Sequence, residues 1–474
     1  MTQRTNRAKP EQQFVEAFAT FEHNGAAADP TWLRDLRRDA IGRFEELGFP
    51  TARRGNERWK YTDVGLLARS EFVMLPNTSA PAGTDRVRLE AYELPCPRVH
   101  QLTFVDGRYA PGLSTEPPSE AGIPSDVLGR RGDGPVVGRL ADAFEYRLPM
   151  VEEQLGKLAG YGGHPFTALN TAFTHDGAFV FIPDGISVPE PIYLLFISTG
   201  AEGALVTHPR VLVIAGRNSS ATVLQSFESV ADADLAYFTN AVTEVVAMEG
   251  SRLRLYALQR EGPAAFHLAS THARVMGNAT LASATFDIGG GFVRRDLNVR
   301  LDEPGARATL HGLFHGCGNR HVDNHVTADH TVPDTASKQV YKGILGDASH
   351  GVFAGEVLVR KDAQRTEAHQ VTRNLLLSDH ATVDTQPKLE IYADDVQCTH
   401  GAAVGQLAMD AMFYLKSRGL DESQARALLV HGFAQEVIGA VEHDAVRQYA
   451  DVAVAAAVLA DDQPSAPAPA RVVS

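Results

Sequence analysis

Cysteine is scarce: Cys96, Cys317 and Cys398 are the three in 474 residues, far apart and none in a CxxC pair. An odd, scattered set makes no disulfide framework and fits a reducing compartment. It is also too small for a complete metal–thiolate cage built from this chain's own cysteines. No apolar stretch reaches about 18 residues, and the N-terminal MTQRTNRAKPEQQF is basic without the apolar run of a secretion signal. The expectation is a cytoplasmic protein that does not span a membrane. Basic side chains are outnumbered 44 to 58, for a formal net charge of −14, which argues against a dedicated nucleic-acid binder. No GxxxxGK[ST] phosphate loop occurs, so no ATP hydrolysis is expected of this chain.

The hydrophobic content of 44% is enough for a sizeable core, and its patterning changes along the chain. From Glu11 to Leu67 the spacing of Phe14, Phe18, Phe21, Leu33, Leu36, Ile41 and Phe44 is helical, followed by Trp59 and Tyr61, which read as pins for a loop. Pro76 to Pro135 is rich in Pro and Gly and reads as a connector, with one hairpin, VHQLTFVDGRYA, turning at Asp106-Gly107. From Thr167 to Ala403 short runs rich in Val, Ile, Leu and Phe alternate with Gly, Asp, Asn and Ser and show no helical period. Stacked short strands of this kind suit a sandwich, a barrel or a solenoid, and the pattern alone leaves the three level. Leu407 to Arg418, ending at Gly419, reads as a helix. Asp421 with Gln424 caps a second, whose Ala425, Leu428, Leu429, Phe433, Val437 and Ile438 form one stripe. QPSAPAPARVVS at the end lacks the apolar content to fold and is expected to be disordered.

The chemistry concentrates in KLEIYADDVQCTHGAAVG, from Lys388 to Gly405, where Cys398 and His400 stand two apart after a β-prone run. In an extended chain that spacing sends both side chains to one face, as half of a soft-metal or iron–sulfur site that normally needs about four ligands. The other half must then come from another chain. A half-buried cysteine beside an ordinary histidine has the same spacing, and a Cys-His hydrolase would need an oxyanion hole and an orienting third group that the spacing does not supply. Glu390, Asp394 and Asp395 keep the thiol acidic company; carboxylates raise a thiol's pKa and a protonated histidine lowers it, so the sequence leaves the nucleophilic state of Cys398 open. A second cluster runs from His311 through His315, Cys317, His321, Asp323 and His325 to His330. On a strand His321, Asp323 and His325 share a face, as a metal-dependent hydrolase would need or as a polar ladder on a sheet. Gly289-Gly290-Gly291 precedes no helix pattern, so it reads as a tight turn rather than a phosphate cradle.

Three segments carry a resemblance. RTEAHQVTRNLLLSDHATVDTQPKLEIYADDVQCTHGAAVGQLAMDAMFYLKSRG, from Arg365 to Gly419, resembles the C-terminal half of the SufD family, scaffold subunits of the SufBCD iron–sulfur assembly machine. GFPTARRGNERWKYTDVGLL and GNRHVDNHVTADHTVPDTASKQVYKGIL are similar to the family's N-terminal and mid-core patterns. SufB-like paralogues carry a cysteine on the strand matching Asn374 to Ser378 and a Glu-His-Glu element where this chain has Cys398-Thr399-His400-Gly401, so SufD is favoured. The resemblance implies a mainly β fold, a right-handed parallel β-helix core flanked by N-terminal and C-terminal α-helical regions. The corresponding organisation is an N-terminal helical region at 1–75, a connector with a hairpin at 76–160, the β-helix at 161–403, a C-terminal helical ATPase-docking region at 404–460 and a tail at 461–474. It further implies a non-enzymatic subunit that pairs with a SufB-like chain through the β-helix and with the ABC-type ATPase SufC, which hydrolyses the ATP and opens the shared site. A transient iron–sulfur cluster would be held there by His400, with Cys398 beside it as ligand or sulfur relay; a reduced flavin in the complex is compatible with the resemblance. A solenoid adaptor without cluster chemistry is the remaining alternative.

Overall fold

The computed structural model describes residues 9–24, 29–53, 56–74, 81–115 and 134–460. Its centre is built from strands bounded by Asp, Asn and Gly turns, among them Phe266–Val275, Phe292–Leu301, Arg307–Gly316, His321–His330, Ala336–Leu345 and His350–Val359. Successive strands fall alternately into two ten-stranded sheets, and each pairs in parallel with the strand one coil away. Stacked positions such as Arg307, Ala336, Glu367 and Gln397 recur at about 30 residues, one supersecondary unit per coil. The result is a parallel β-helix of about eight coils.

Its interior is filled by stacked columns. Ala221, Leu253, Leu281 and Ala308 lie in register and are all buried in one cluster that runs the length of the solenoid. Strand alternation aims every second residue inward, so each coil covers the apolar row of the next. The outer faces of the sheets are covered in turn. The helices Gln12–Asn24 and Thr31–Leu47 and the helix Pro165–Ala172 pack Phe14, Phe44 and Phe166 against Phe238 and Phe266 on one sheet. The helices Glu422–Ile438 and Asp444–Ala460 cover Tyr193, Tyr256, Leu313 and Ile344 on the other.

Three features differ from the sequence reading. His100–Val105 does turn at Asp106 and Gly107, both at positive φ, into Arg108–Tyr109. It also pairs in parallel with Ile192–Ser198, so the hairpin is the first rung of a sheet rather than part of a connector. Pro165–Ala172 is a helix inside the stretch read as purely β; all eight of its residues are buried, so no amphipathic period marks it. In Glu422–Ile438 the buried face is Ala425, Val430, Ala434, Val437 and Ile438, while Leu428 is exposed and Phe433 only partly covered. The buried face is therefore rotated from the stripe drawn through Leu428, because docking against the sheet selects which side is covered. The capping box of Asp421 and Gln424 is formed in both directions. The tail at 461–474 lies outside the described residues.

One buried ion pair ties the N-terminal layer to the solenoid. Arg210 donates to Glu244, both without solvent exposure, and Glu244 also accepts from the backbone N–H groups of Gly156, Leu158 and Ala159. Arg210 Nη1 reaches Asn170 and Thr171 on the buried helix at 3.0 and 3.1 Å. Five further contacts support the pair, as a buried charge requires, and only Arg210 Nε among its polar atoms is left without a hydrogen bond.

Candidate functional site

Val396–Gly405 is the terminal strand of its sheet and pairs with Thr366–Leu376. The register sets Cys398 beside Ala368, Thr399 beside His369 and His400 beside Gln370. Ala368 and Gln370 are buried and His369 is exposed, so alternation puts Cys398 and His400 on the side that closes the solenoid's interior. Both predicted ligands thus share one face of the last coil. Thr399 looks the other way, its hydroxyl 2.8 Å from His369 Nδ1.

The two residues have different surroundings. Cys398 packs, half-buried, against the cluster of Val357, Val359, Ala363, Ala368 and Ala393, whereas His400 is exposed. Burial pushes the Cys398 thiol up, opposed by a backbone hydrogen bond with Ala368. This is the reverse of what a cysteine hydrolase needs, and a metal binding here must displace a proton. The acidic neighbours are not the cause: Glu390 is paired with Lys388, and the backbone N–H of Asp395 is engaged by Gln364 at 2.9 Å. The direction that the sequence left open is thus set by desolvation.

Beneath His400, sequence reasoning missed a polar end to the interior. Gln370 Nε2 donates to Gln339 Oε1 at 3.0 Å. Gln370 Oε1, Thr372 Oγ1 and both polar side-chain atoms of Asn374 are buried and have no hydrogen bond. Buried polar atoms of this kind are uncommon and concentrate where function demands them. The signal was present as alternating polar residues in QVTRN, on the inward phase of the strand.

The edges of the two sheets at this end differ in chemistry. Thr382–Ile391, which ends the other sheet, carries Asp384, Pro387, Lys388 and Glu390, the residue types that blunt an edge against further pairing. Val396–Gly405 carries no proline and no charged side chain. Tyr392 before this strand, Val404 on it, and Met409, Phe413 and Tyr414 on the helix Met409–Ser417 that follows are exposed, Met409 and Phe413 by more than three-quarters.

The histidine cluster is dispersed by the fold. His311 and His315 lie on Arg307–Gly316 in one sheet, whereas His321, Asp323 and His325 lie on His321–His330 in the other. His330 turns inward and bonds Thr335 and Ser337 at 2.7 and 2.8 Å. His321, Asp323 and His325 do share the outer face, but Asp323 is already occupied. Arg294 Nη1 donates to it at 2.6 Å and the Thr62 hydroxyl at 2.5 Å, with His325 Nε2 3.0 Å from its other oxygen. These charges hold the Asp323 carboxyl far below the usual carboxylate range against burial. A cationic guanidinium stands where a hydrolytic metal would need to be, and among the described residues no group of three His, Cys, Asp or Glu has metal-binding geometry. The metal-dependent hydrolase built on His321, Asp323 and His325 is thereby overturned.

The arginine that fills this position belongs to a strap. Arg294 lies 3.9 Å under the Trp59 ring and donates to Arg58 O at 2.8 Å, and Trp59 packs on Phe166. Trp59 and Tyr61 are the pins that the sequence suggested. The triple glycine is also structural: a Cβ on Gly289 would stand 2.6 Å from Glu261 N, and one on Gly291 would stand 2.3 Å from Pro263 O. No helix among the described residues is long and apolar enough to cross a membrane.

Two family models match this chain: the SufBD protein N-terminal region over residues 8–194, and the SufBD core domain of the SUF system for FeS cluster assembly over residues 196–433. A SufBD family iron–sulfur cluster assembly protein of Synechocystis is 30% identical over 86% of this chain and 87% of its own length. The iron–sulfur cluster assembly protein SufD of Escherichia coli is 28% identical over 90% and 92%. A chloroplastic protein of Arabidopsis thaliana, ABCI7, is 30% identical over 92% and 89%. With the parallel β-helix, its flanking helices and the Cys-x-His terminal strand, these matches make the chain a SufD-like member of the SufBD family of iron–sulfur cluster assembly proteins.

Proposed function

We propose that the chain is the SufD-type scaffold of a SufBCD-type complex in the cytoplasm, and that it contributes His400, with Cys398 beside it, to a nascent iron–sulfur cluster shared with a SufB-like partner. The observation that carries this reading is the position of the pair on the one uncharged terminal strand of the solenoid. Two ligands on an open edge are half a coordination set, and a strand added to that edge brings the other half to the same face. The exposed Tyr392 and Val404 at the strand suit burial by that partner. The cluster is cargo in this scheme, built and passed on.

In this reading the chain performs no catalysis of its own, and ATP hydrolysis belongs to a SufC-like subunit docked on the C-terminal helices. Met409–Ser417, with none of its residues buried, and the exposed Leu428 of the next helix offer that subunit an apolar face. Coupling requires that the ATP-bound state of the partner favour one arrangement of the two solenoids over the other. A reduced flavin would enter as a separate component of the complex.

The test is anaerobic cluster reconstitution of the complex co-expressed with SufB-like and SufC-like partners, following iron content and visible absorption. His400→Ala is expected to leave the complex assembled and abolish the cluster, with Cys398→Ser giving an intermediate loss. Equal cluster in the His400→Ala complex would leave a scaffold without cluster ligands.

A further inference from the structure

We propose that His321 and His350 form a second metal site, for a divalent transition-metal ion, on the outer face of the solenoid and separate from Cys398 and His400. The two residues are in register on neighbouring coils, and their Nδ1 atoms face each other at 3.2 Å. What singles them out is the direction of the hydrogen bonds on their far sides.

His350 Nε2 lies 2.8 Å from Asp384 Oδ2. An ionised carboxylate only accepts, so this nitrogen carries a proton, and Nδ1 is bare unless the ring holds a second one. His321 Nε2 lies 3.0 Å from Thr62 Oγ1. The Thr62 hydroxyl gives its proton to Asp323, which Arg294 keeps ionised, so it has only lone pairs left for His321. His321 must therefore also carry a proton on Nε2, and its Nδ1 is bare on the same condition. With both Nε2 atoms protonated, the two Nδ1 positions face each other at hydrogen-bonding distance, an arrangement that is repulsive unless a proton or a metal ion lies between them.

The spacing suits a metal ion. Two imidazole nitrogens at about 2.0–2.1 Å from a tetrahedral ion stand about 3.3 Å apart. The outer contacts also fit, since a ligating histidine characteristically donates its other N–H to a carboxylate, here Asp384 directly and Asp323 through Thr62. Imidazole donors select zinc, iron, cobalt, nickel or copper over magnesium or calcium. The His350 side chain is 30% exposed, which opens the site to solvent, and among the described residues no third acidic, thiol or imidazole ligand completes a set. Water fills the remaining positions. The site differs from the hydrolytic one excluded above: Asp323 and His325 are not ligands, and Arg294 acts only by keeping Asp323 charged. Occupancy would fasten two coils together and, through Thr62, fasten the N-terminal strap to both.

The test is a titration of the full chain, carrying Cys398→Ser and His400→Ala to silence the other candidate site, with Co²⁺ followed by its visible absorption and then displaced by Zn²⁺. One equivalent is expected to bind, with X-ray absorption showing imidazole nitrogen ligands. His350→Ala is expected to abolish binding, and Thr62→Val, which removes no ligand, to weaken it about 10- to 100-fold by freeing the His321 tautomer. Thermal melts without metal check that each variant is folded; should His350→Ala not fold, Thr62→Val and the ligand identity in the unsubstituted pair decide. Absence of stoichiometric binding, with one proton shared by the two rings in a histidine NMR titration, would overturn the proposal. So would binding that is the same in all variants.

Discussion

The side-chain amide of Gln386 donates to the Tyr61 hydroxyl at 3.2 Å, joining the N-terminal strap to the last strand of its sheet. Residues 58–62 also touch Asp296 and Arg294 on Phe292–Leu301, and His321 and Asp323 on His321–His330. The strap therefore crosses the outer face of the sheet from the middle of the solenoid to its final coil. Tyr61→Phe removes one partly buried neutral hydrogen bond, expected to cost about 0.5–1.5 kcal/mol in global stability. Hydrogen exchange should rise most in Thr382–Ile391, the strand held by this contact. Uniform exchange across the sheet would contradict a local clamp.

Breaking the buried pair of Arg210 and Glu244 should be far more costly. Glu244→Gln leaves the guanidinium without its counter-charge at zero exposure and is expected to destabilise by about 3–5 kcal/mol. Three backbone N–H groups at Gly156, Leu158 and Ala159 also lose a charged acceptor, so limited proteolysis should open this loop first. Urea denaturation of the isolated chain measures the first effect, and mass spectrometry of early fragments the second.

Acid should destabilise the chain well before its carboxylates titrate. Burial pushes His330 and His272 down to about 4, from an ordinary value of 6.5. In both cases the unfolded chain binds the proton more tightly, so the stability of the neutral folded form is fully present above about pH 6.5 and is lost as pH falls toward 4. Each is expected to cost about 2 kcal/mol between pH 7 and pH 5. His330→Gln, which can keep a bond to Thr335 or Ser337, should flatten the dependence of the urea midpoint on pH over that window. An unchanged slope would mean that His330 is not neutral in the folded state.

The uncharged edge makes a separate prediction about assembly. Ala402 follows Cys398 and His400 on the inward phase of Val396–Gly405 and is exposed in the isolated chain. Ala402→Lys should leave the melting temperature of this chain within error, because the lysine reaches water. A docking strand would bury that charge, so co-purification with a SufB-like partner should be lost. Retained pairing would move the interface away from this strand.

Local geometry was readable in the chain and tertiary arrangement was not. The shared face of Cys398 and His400, the turn at Asp106-Gly107 and the capping box of Asp421 and Gln424 each depend on backbone directions over two to four residues, which residue type and spacing specify. The choice of a β-helix over a sandwich came from resemblance, since short alternating strands serve all three architectures equally. The helix Pro165–Ala172 escaped notice because a segment buried on every side has no polar face to reveal its period. The helix stripe through Leu428 failed because a helix offers several apolar faces, and contact with the sheet decides which is covered. Only the folded chain brings Arg294 and Thr62 onto Asp323, 29 and 261 residues away, and sets His350 against His321. Those contacts form between coils and across the strap, so what they make of a histidine cluster is decided by stacking and not by its spelling.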